Sequence, residues 1–261
     1  NMPEVSTIYD MIPERFSEFA HLPHNVTLVK NKRKCIERAS HMIAISEQSK
    51  KDLCEFYSVS PDKVDVIHLG VDYEFYRGAS KKIFEFPYLL YVGGRLNHKN
   101  FPRFLEAYAT SSLKKDLPLV AAGLPWNAEE QKLLSKFGIT KSTHLCSSPD
   151  NETLRALYQG AALFVYPSLY EGFGLPILEA FASGVPVAAS SAGSIPEIGG
   201  QGALYFNPTD LTDMQNKMVL ALSDDSRQQR LQAAQTRAQQ FSWDKTAEKT
   251  VATYRKVLHN A

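Results

Sequence analysis

Short apolar runs of four to six residues recur along the chain, and longer amphipathic stretches separate most of them. The runs are continuous rather than alternating, which is typical of parallel strands that are covered on both faces. Their alternation with helical patterns predicts an α/β fold built on doubly wound parallel sheets. The predicted strands are Val5–Tyr9, Met42–Ile45, Val64–Ile67, Tyr88–Val92, Leu117–Ala122, Thr143–Cys146, Ala161–Val165, Val185–Ser190 and Ala203–Phe206.

Capping residues and apolar periodicity predict the helices that connect these strands. Ser46 and Asp150 can each accept a hydrogen bond from a free amide at a helix start, and Gly138 suits a helix end. Pro176 suits the first helical position, where its missing N–H group costs nothing. The predicted helices are Thr27–Ser40, Ser46–Tyr57, one from about Phe101, Ala128–Phe137, Glu152–Gln159, one between Pro176 and Gly184, Leu211–Leu222, Arg227–Phe241 and Trp243–His259.

The number of predicted strands differs between the two parts of the chain. Residues 1–76 hold three strands and two helices, whereas a complete nucleotide-binding half has about five or six strands. We therefore interpret residues 1–76 as the C-terminal remnant of a larger Rossmann-like domain. Residues 77–86 carry no periodicity and are a predicted linker, and residues 87–241 form the predicted second domain.

The overall composition disfavours several classes of protein. The chain has 261 residues, of which 44% are apolar and 22% charged, as is typical of a soluble globular protein. A net charge of +1 does not favour nucleic-acid binding. No apolar run approaches the roughly 20 residues of a membrane-spanning helix. The three cysteines have no paired spacing, which favours a reducing compartment and predicts a cytoplasmic location.

The segment Lys30–Lys34 is a short basic run on a predicted helix. Such a run can contact an anionic membrane, so one interpretation is a peripheral position on the inner face of the cytoplasmic membrane. We favour the other interpretation, a solvated helix face, because the run is short and the net charge is small.

The segment Tyr166–Ala180 follows a predicted buried strand with a glycine loop and then a helix. Gly172 and Gly174 leave room for a ligand to approach the backbone, and the free amides at the helix start suit a phosphate group. Glu171 lies at the mouth of the loop and Glu179 lies eight residues later, inside the helix. Amides for a diphosphate and carboxylates for hydroxyl groups suit a sugar nucleotide. The alternative is an ordinary glycine-rich turn with two glutamates spaced by chance.

A second loop has the same order of strand, glycines, cations and helix. Arg95 and Lys99 follow Gly93 and Gly94, directly after a predicted strand. The planar fork of Arg95 can bind a diphosphate, and Lys99 adds a point charge. Two cations on a surface loop are common, so this pattern alone is weak evidence for a diphosphate site. His98 beside them is interpreted as a loop residue, because no potential metal ligands accompany it.

Beyond spacing, the segment PSLYEGFGLPILEAFASGVPVAAS closely resembles the E-x7-E signature of retaining glycosyltransferases with the GT-B fold. That family, glycosyltransferase family 4 or glycosyl transferases group 1, includes sucrose synthase and many bacterial mannosyl- and glucosyltransferases. The resemblance implies that Glu171 is a catalytic residue beside the transferred sugar and that Glu179 binds the donor ribose. It also implies that the amides of Gly172, Phe173, Gly174 and Leu175 approach the sugar and the phosphates.

Other segments resemble the same family. YVGGRLNHKN is similar to the G-x-R-x-x-x-K-N segment, which implies that Arg95 and Lys99 bind the donor diphosphate. In this family the residue at the end of the short strand contacts the nucleotide base. The resemblance therefore implies that Ser148, which lies near the end of the strand Thr143–Cys146, contacts the base. FSW is similar to a segment after which a last helix, here residues 242–261, crosses back to the N-terminal domain.

The resemblance also implies that part of the family fold is missing. IYDMIPERF is similar to a segment found late in the N-terminal domain of these transferases, so an upstream half that holds the acceptor site would be absent or lie on a partner chain. Relatives often have histidine where this chain has Tyr9, which leaves a role for that position in doubt. Asp10 is interpreted as a turn or capping residue, and Ser194 and Glu197 are interpreted as helix caps.

The predicted function is therefore that of a glycosyltransferase. It would move a sugar from a nucleoside-diphosphate sugar to a glycan or lipid-linked acceptor with retention of configuration, and the resemblance favours mannose from GDP-mannose. No essential metal is predicted, because no Asp-x-Asp or histidine cluster offers ligands near the loop. We expect no cofactor beyond the donor itself.

Two other classes were weighed against this one. The first is a nucleotide-sugar binding module, or a split or inactive homologue, that has no transfer activity on its own. The second is a dinucleotide-dependent oxidoreductase, which is disfavoured because no G-x-G-x-x-G follows a strand with an acidic residue about twenty residues later. A G-x-x-x-x-G-K-[ST] loop is also missing, so a nucleoside triphosphatase is disfavoured.

Overall fold

A computed structural model describes residues 2–223 and 225–259. Within these ranges the chain forms two parallel sheets with helices between successive strands, which confirms the predicted α/β class. The first residue of the predicted 1–76 segment and residues 260–261 of the predicted last helix lie outside the described residues. Among the described helices, none combines the length and the apolar character needed to cross a bilayer.

The smaller sheet has three parallel strands in the order β1-β2-β3. Its core is a cluster of buried apolar side chains that includes Ile8, Met11, Met42, Leu53 and Val64. The elements of this part are β1 (Val5–Ile8), α1 (Ile12–Arg15), α2 (Ser17–Ala20), α3 (Pro23–Arg38), β2 (His41–Ala44), α4 (Glu47–Tyr57), β3 (Val64–Val66) and α5 (Tyr73–Arg77).

The larger sheet has six parallel strands in the order β6-β5-β4-β7-β8-β9. Its strands are β4 (Leu89–Val92), β5 (Leu119–Gly123), β6 (Thr143–Ser147), β7 (Leu163–Tyr166), β8 (Val187–Ser190) and β9 (Ala203–Phe206). The helices that follow β4 are α6 (Phe101–Thr110), α7 (Ala128–Lys136), α8 (Asn151–Gly160), α9 (Leu175–Ala182), α10 (Ile195–Gly199), α11 (Leu211–Ser223), α12 (Arg227–Ala238) and α13 (Trp243–His259).

The two faces of the larger sheet are covered by different helices. Helices α8, α9 and α12 share an apolar core with Leu90 and Phe164 on one face. Helices α6, α7 and α11 share a second core with Leu89 and Val165 on the other face. Because successive residues of a strand point to opposite faces, one continuous apolar strand supplies both cores.

The strand order creates a switch point between β4 and β7. From β4 the chain builds outward through β5 and β6, and it then returns to place β7 against the other side of β4. The connections that leave β4 and β7 therefore run in opposite directions and open a crevice at the carboxyl ends of these two strands. Ligands of open α/β sheets bind at such points.

Most predicted elements are confirmed, and the differences have local causes. Helices α1, α2 and α5 were not predicted, because four or five residues are too few to show a helical period. Helix α3 begins at Pro23 rather than Thr27. Pro176 is the second residue of α9 and not the first, because the helix is preceded by Gly174 as its N-cap. The predicted caps Ser46 and Asp150 are confirmed, since each accepts a hydrogen bond from an amide three residues later.

Polar groups join the two sheets beside this crevice. The buried carboxylate of Asp52 on α4 accepts a hydrogen bond from the Tyr170 hydroxyl at 2.6 Å, and it also binds Gln48 and Arg15. Tyr170 lies in the loop after β7, so this contact ties the smaller sheet to the edge of the crevice. The carboxylate is held by three donors, as a buried charge requires.

The last helix, α13, contacts the smaller sheet. The Thr253 hydroxyl donates to Asp65 of β3 at 2.8 Å, and Thr246 donates to the carbonyl of His68 at 2.8 Å. A Cβ atom at Gly70 would lie 2.2 Å from the amide nitrogen of Trp243, so only glycine allows this approach. These contacts lie where the resemblance places a returning helix, while the domain boundaries at residues 76, 86 and 241 stay predictions.

Candidate functional site

The loop after β7 is held through its carbonyl groups. The Ser194 hydroxyl lies 2.9 Å from the carbonyl oxygen of Glu171 and 2.6 Å from that of Phe173. The Ser46 hydroxyl donates to the carbonyl of Gly172 at 2.7 Å, and Ser49 lies 3.2 Å from the same oxygen. Three successive carbonyls thus lie within hydrogen-bond distance of serines at the starts of α4 and α10, which fixes the backbone of the loop.

The amides from Gly172 to Leu175 in the same loop, unlike its carbonyls, have no partner among the described residues. Within the described ranges, the N–H groups of Gly172, Phe173, Gly174 and Leu175 donate to no protein acceptor. They lie at the start of α9, where the helix dipole adds a partial positive charge. Gly174 has a φ angle of +128°, which a residue with a side chain rarely adopts. This row of free donors suits an anionic group such as a phosphate.

Lys99 and Glu171 meet across the switch point. The Lys99 Nζ atom lies 2.8 Å and 2.9 Å from the two carboxylate oxygens of Glu171. Lys99 follows β4 and Glu171 follows β7, so the adjacency of these strands brings the two loops together. The Leu169 amide also donates to the His98 carbonyl at 2.7 Å, and Asn100 donates to the Pro167 carbonyl at 3.0 Å. The pair is therefore built into the crevice rather than free on a surface.

The Glu171 carboxylate is largely buried and affects its neighbours. Burial raises the pKa of the Tyr166 hydroxyl well above its ordinary value, and the charge and hydrogen bonding of Glu171 raise it further. Burial also lowers the pKa of His98, and the adjacent Lys99 charge acts in the same direction. The crevice thus holds an ion pair with a neutral phenol and a histidine that favours its neutral form.

Arg95 contacts a different part of the crevice wall. Its guanidinium binds the Glu130 carboxylate at 2.7 Å and the carbonyls of Leu124 and Pro125 at 2.7 Å and 3.0 Å. It also lies over the ring of Trp126, 4.6 Å from the centroid. The Nη1 atom is buried and has no hydrogen-bond partner in the part of the chain that the structure describes. The structure therefore brings Lys99 to Glu171 but directs Arg95 toward the loop after β5.

Glu179 lies on the far side of the loop from that ion pair, in the wall of a cavity of about 250 Å³. The Tyr158 hydroxyl donates to its Oε2 atom at 2.8 Å. Burial raises the pKa of the Glu179 carboxyl group, and hydrogen bonds from Tyr158 and Tyr76 partly oppose that rise. The other residues that line the cavity are Gly70, Val71, Asp72, Phe75, Tyr76, Asn151, Leu175 and Trp243.

Gly172 has a packing role that the sequence did not reveal. The sequence predicts that Gly172 leaves room for a ligand, but residues that follow β1 of the smaller sheet occupy the space that a side chain would need. A Cβ atom there would lie 2.2 Å from the carbonyl oxygen of Tyr9 and 2.8 Å from the Cβ atom of Asp10. The absence of a side chain thus lets the two sheets approach, while the amide of Gly172 is still free. Asp10 accepts a hydrogen bond from the Ile12 amide at 3.0 Å, which confirms it as a turn residue.

Two predicted caps act elsewhere than expected. Ser194 makes no side-chain cap for α10, because its hydroxyl is directed to the loop carbonyls. Glu197 accepts hydrogen bonds from the amides of Glu47 at 2.9 Å and Gln48 at 3.3 Å. It therefore caps α4 of the smaller sheet, and it also binds His68 at 2.7 Å. No signal in the local sequence distinguishes a residue that caps its own helix from one that caps a distant helix.

The remaining predicted positions are less informative. Ser148 is exposed, has a φ angle of +48° and donates its amide to the Gly123 carbonyl at 2.7 Å, and its contact with a base stays a prediction. Within the basic run, Lys32 binds Glu14 at 2.9 Å and the Asp10 carbonyl at 2.7 Å, and Arg33 lies over the Tyr57 ring. These contacts support the interpretation of the run as a helix face. Across the described ranges, no group of three or more His, Cys, Asp or Glu side chains is arranged to hold a metal ion.

We expect Ser194→Ala to lower the free energy of unfolding by about 1–3 kcal/mol, because it leaves the buried Phe173 carbonyl without its donor. Urea denaturation would measure the change. Ser223→Ala is the control, since that hydroxyl is exposed and bonds only within its own helix. Equal stability of the two variants would contradict the role given to Ser194.

Comparisons with known proteins place this geometry in context. The family model for glycosyl transferases group 1 matches residues 72–238, and the model for glycosyltransferase family 4 matches residues 1–75. The MMP α-(1→4)-mannosyltransferase from Mycolicibacterium hassiacum is 29% identical over 88% of this chain and 57% of its own length. O-antigen chain mannosyltransferase B of Escherichia coli is 29% identical over 87% of this chain and 63% of its own length. The chain thus spans less than two thirds of these relatives.

Solved structures with the same fold cover nearly the whole chain. Sucrose-phosphate synthase from Thermosynechococcus elongatus superposes with a TM-score of 0.81 at 22% identity, over 98% of this chain and 68% of that one. Anabaena HepE in complex with UDP and glucose superposes with a TM-score of 0.78 at 19% identity, over 97% of this chain and 72% of that one. These similarities confirm the predicted GT-B fold class.

Proposed function

This chain belongs to the glycosyl transferases group 1 family, and on that premise we propose that it transfers a sugar from a nucleoside diphosphate to an acceptor with retention of configuration. The observation that carries the proposal is the row of free amides from Gly172 to Leu175. It lies between the Lys99–Glu171 pair and the carboxylate of Glu179. Amide donors that suit a diphosphate thus lie between two carboxylates that can accept hydrogen bonds from hydroxyl groups of the sugar and the ribose.

The chemistry of transfer requires stabilisation of the charge on the leaving diphosphate. The four amides and the positive end of α9 are already oriented, so they lose little energy to reorganisation as that charge develops. Lys99 can bridge the diphosphate and the Glu171 carboxylate, which would lie beside the sugar. Arg95 would join the diphosphate if the Nη2 atom of its guanidinium exchanged the carbonyls of Leu124 and Pro125 for phosphate oxygens. Its Nη1 atom, which has no hydrogen-bond partner among the described residues, would then supply a further donor.

The nucleoside would lie toward the other side of the loop. Glu179 faces the cavity of about 250 Å³, and an ionised carboxylate can accept hydrogen bonds from both hydroxyls of a ribose. Asn151 also lines this cavity, and Ser148 lies close to it in the chain, directly after β6. A nucleotide with its ribose at Glu179 would therefore extend its base toward the end of β6. This arrangement would place ribose, diphosphate and sugar in sequence along the start of α9.

The names of the relatives support a proposal for the donor and the acceptor. Both sequence relatives named above are mannosyltransferases, so we propose mannose as the sugar and GDP-mannose as the donor. The HepE complex contains UDP and glucose, but at 19% identity it supports only the binding of some nucleotide at this fold. We propose a glycan or a lipid-linked glycan as acceptor, since one relative acts on the O-antigen chain.

A second candidate function rests on the groups proposed to hold the donor. The free amides, Lys99 and Glu179 would bind a nucleotide sugar without any transfer, so the alternative is a nucleotide-sugar binding module. Nucleotide binding without any release of sugar would favour this second function.

We expect Glu179→Gln to weaken nucleotide binding by about tenfold or more, because hydrogen bonds to a charged group contribute about 1.5–3 kcal/mol. Calorimetry with GDP, UDP and ADP would identify the base and measure the loss. Glu152→Gln is the matched control, since Glu152 is an exposed glutamate on α8. If no nucleotide binds the wild-type chain, or if both variants bind alike, the nucleotide site is assigned wrongly.

We expect Glu171→Gln to lower the turnover number by about a hundredfold while it changes donor affinity much less, because charge beside the reacting carbon acts mainly in the transition state. Release of nucleoside diphosphate from the donor sugar would give kcat and KM. A parallel loss of affinity and turnover would instead indicate that Glu171 only shapes the pocket through Lys99.

We expect transfer to continue unchanged after dialysis against excess EDTA, because amides and Lys99 supply the positive charge at the diphosphate. The assay compares sugar release with and without added Mg²⁺ or Mn²⁺. Loss of activity in the chelator, restored by either ion, would contradict this part of the proposal.

A further inference from the structure

Two tyrosines from different helices converge on the Glu179 carboxylate. The Tyr158 hydroxyl on α8 donates to Oε2 at 2.8 Å. Tyr76 on α5 lines the same cavity as Glu179, and its hydroxyl acts with that of Tyr158 to lower the pKa of the carboxyl group. The two rings pack edge to face, with their centroids 5.9 Å apart. Glu179 is therefore held by residues that lie 21 and about a hundred positions away in the chain, a constellation that no local motif encodes.

The two tyrosines are themselves firmly held. Tyr158 is fully buried in the core between α8, α9 and the sheet, where its ring also contacts Phe164. Tyr76 is buried on α5, and the side chain of Asp72, directly before α5, accepts a hydrogen bond from the Phe75 amide at 3.0 Å. Aromatic rings in a packed core have few alternative rotamers. Their hydroxyls therefore give Glu179 fixed donors rather than mobile ones.

We propose that Tyr158 and Tyr76 are positioning residues that hold the Glu179 carboxylate toward the cavity, where it accepts the ribose hydroxyls of a nucleoside diphosphate. This inference rests on the proposed function of the site. Tyr158 is fully buried and needs no contact with the nucleotide, whereas Tyr76 also lines the cavity. Each would act by restricting Glu179 to one orientation before the ligand arrives, which spares the entropy of ordering that side chain on binding.

A purely structural role is the alternative, and the pH dependence separates the two. Burial raises the pKa of Glu179, and the two tyrosine hydrogen bonds lower it in part because they stabilise the charged form. Removal of either hydroxyl therefore raises that pKa further. Ribose hydroxyls donate to the ionised carboxylate, so nucleotide affinity in the variants should begin to fall at a higher pH as the solution is acidified.

The other charged and titratable groups around Glu179 do not account for the expected shift in the pH dependence of binding. Arg237 on α12 donates to the carbonyls of Glu197 and Ile198, away from Glu179. The groups that face the carboxylate or its cavity are Tyr158 on α8, Tyr76 on α5, Tyr166 on β7 and Asp72 before α5. The tyrosines stay neutral over the acid range, because burial raises the pKa of all three. Asp72 is unchanged in all of the variants proposed below.

The experiment compares Tyr158→Phe and Tyr76→Phe with wild type in the 261-residue chain. Each variant keeps its ring and loses one hydroxyl. The control is Tyr108→Phe, a buried tyrosine that donates to the Leu117 carbonyl at 2.9 Å and packs on the other face of the sheet. The probe is whichever of GDP, UDP and ADP binds the wild type best, measured by calorimetry between pH 5 and pH 8, about the range over which a raised carboxyl pKa would act.

We expect each test variant to bind the probe about three- to tenfold more weakly at pH 7, and its acid limb to move to higher pH, whereas Tyr108→Phe matches wild type. In a Glu179→Gln background, Tyr158→Phe should have no further effect, because its action passes through the carboxylate. The inference is overturned if the tyrosine variants match wild type, if Tyr108→Phe weakens binding equally, or if the two losses add fully in the double variant.

Different results would overturn the inference about the tyrosines and the proposed function of the site. Weak binding by Glu179→Gln together with normal binding by both tyrosine variants would overturn the inference and keep the proposed function. Absence of binding of all three nucleotides to the wild type would overturn both. If Tyr158→Phe loses its thermal transition, Tyr76→Phe decides the question by the same measurements.

Discussion

The arrangement of the site depends on the way one loop is held by its carbonyl groups. Serine hydroxyls bind the carbonyls of Glu171, Gly172 and Phe173, and two of those serines, Ser46 and Ser49, lie at the start of α4, the helix that follows β2 of the smaller sheet. A backbone that is bound through its carbonyls on one side presents its amides on the other. The free donors from Gly172 to Leu175 are therefore a consequence of packing between the two sheets. The close approach of Tyr9 to Gly172, which only glycine allows, is part of the same constraint.

The strand order supplies the charges on either side of that loop. Because β4 and β7 are neighbours, the loop after β4 delivers Lys99 to Glu171, which would otherwise be a nearly buried carboxylate without a counter-charge. The helix that follows the loop delivers Glu179 to a separate cavity, where Tyr158 binds it. One strand–loop–helix unit therefore carries two carboxylates in different environments. The first is paired with a cation and the second is held by phenols, which suits them to different parts of one ligand.

Sequence reasoning located the unit that carries the site but not all of its contacts. The order of strand, glycine loop and helix placed Glu171, Gly174 and Glu179 on the right elements, because local chain geometry follows from residues close in sequence. The orientation of Arg95 did not follow, since its partner Glu130 lies on α7 and competes with any ligand. Ser194 and Glu197 were assigned to the cap of their own helix, whereas both bind backbone groups of other segments. The identity of a hydrogen-bond acceptor across the fold depends on packing that no local pattern records.

The sequence by itself determined the α/β class, most strands and helices, and the family, because these depend on apolar periodicity, capping residues and a motif whose residues are contiguous. Only the tertiary structure decided which groups face each other. The pairing of Lys99 with Glu171, of Tyr158 with Glu179, and of Ser46 with the carbonyl of Gly172 each joins residues at least 21 positions apart. Such pairs form because strand order and the contact between two sheets bring distant loops to one crevice, and that arrangement is a property of the whole packed chain.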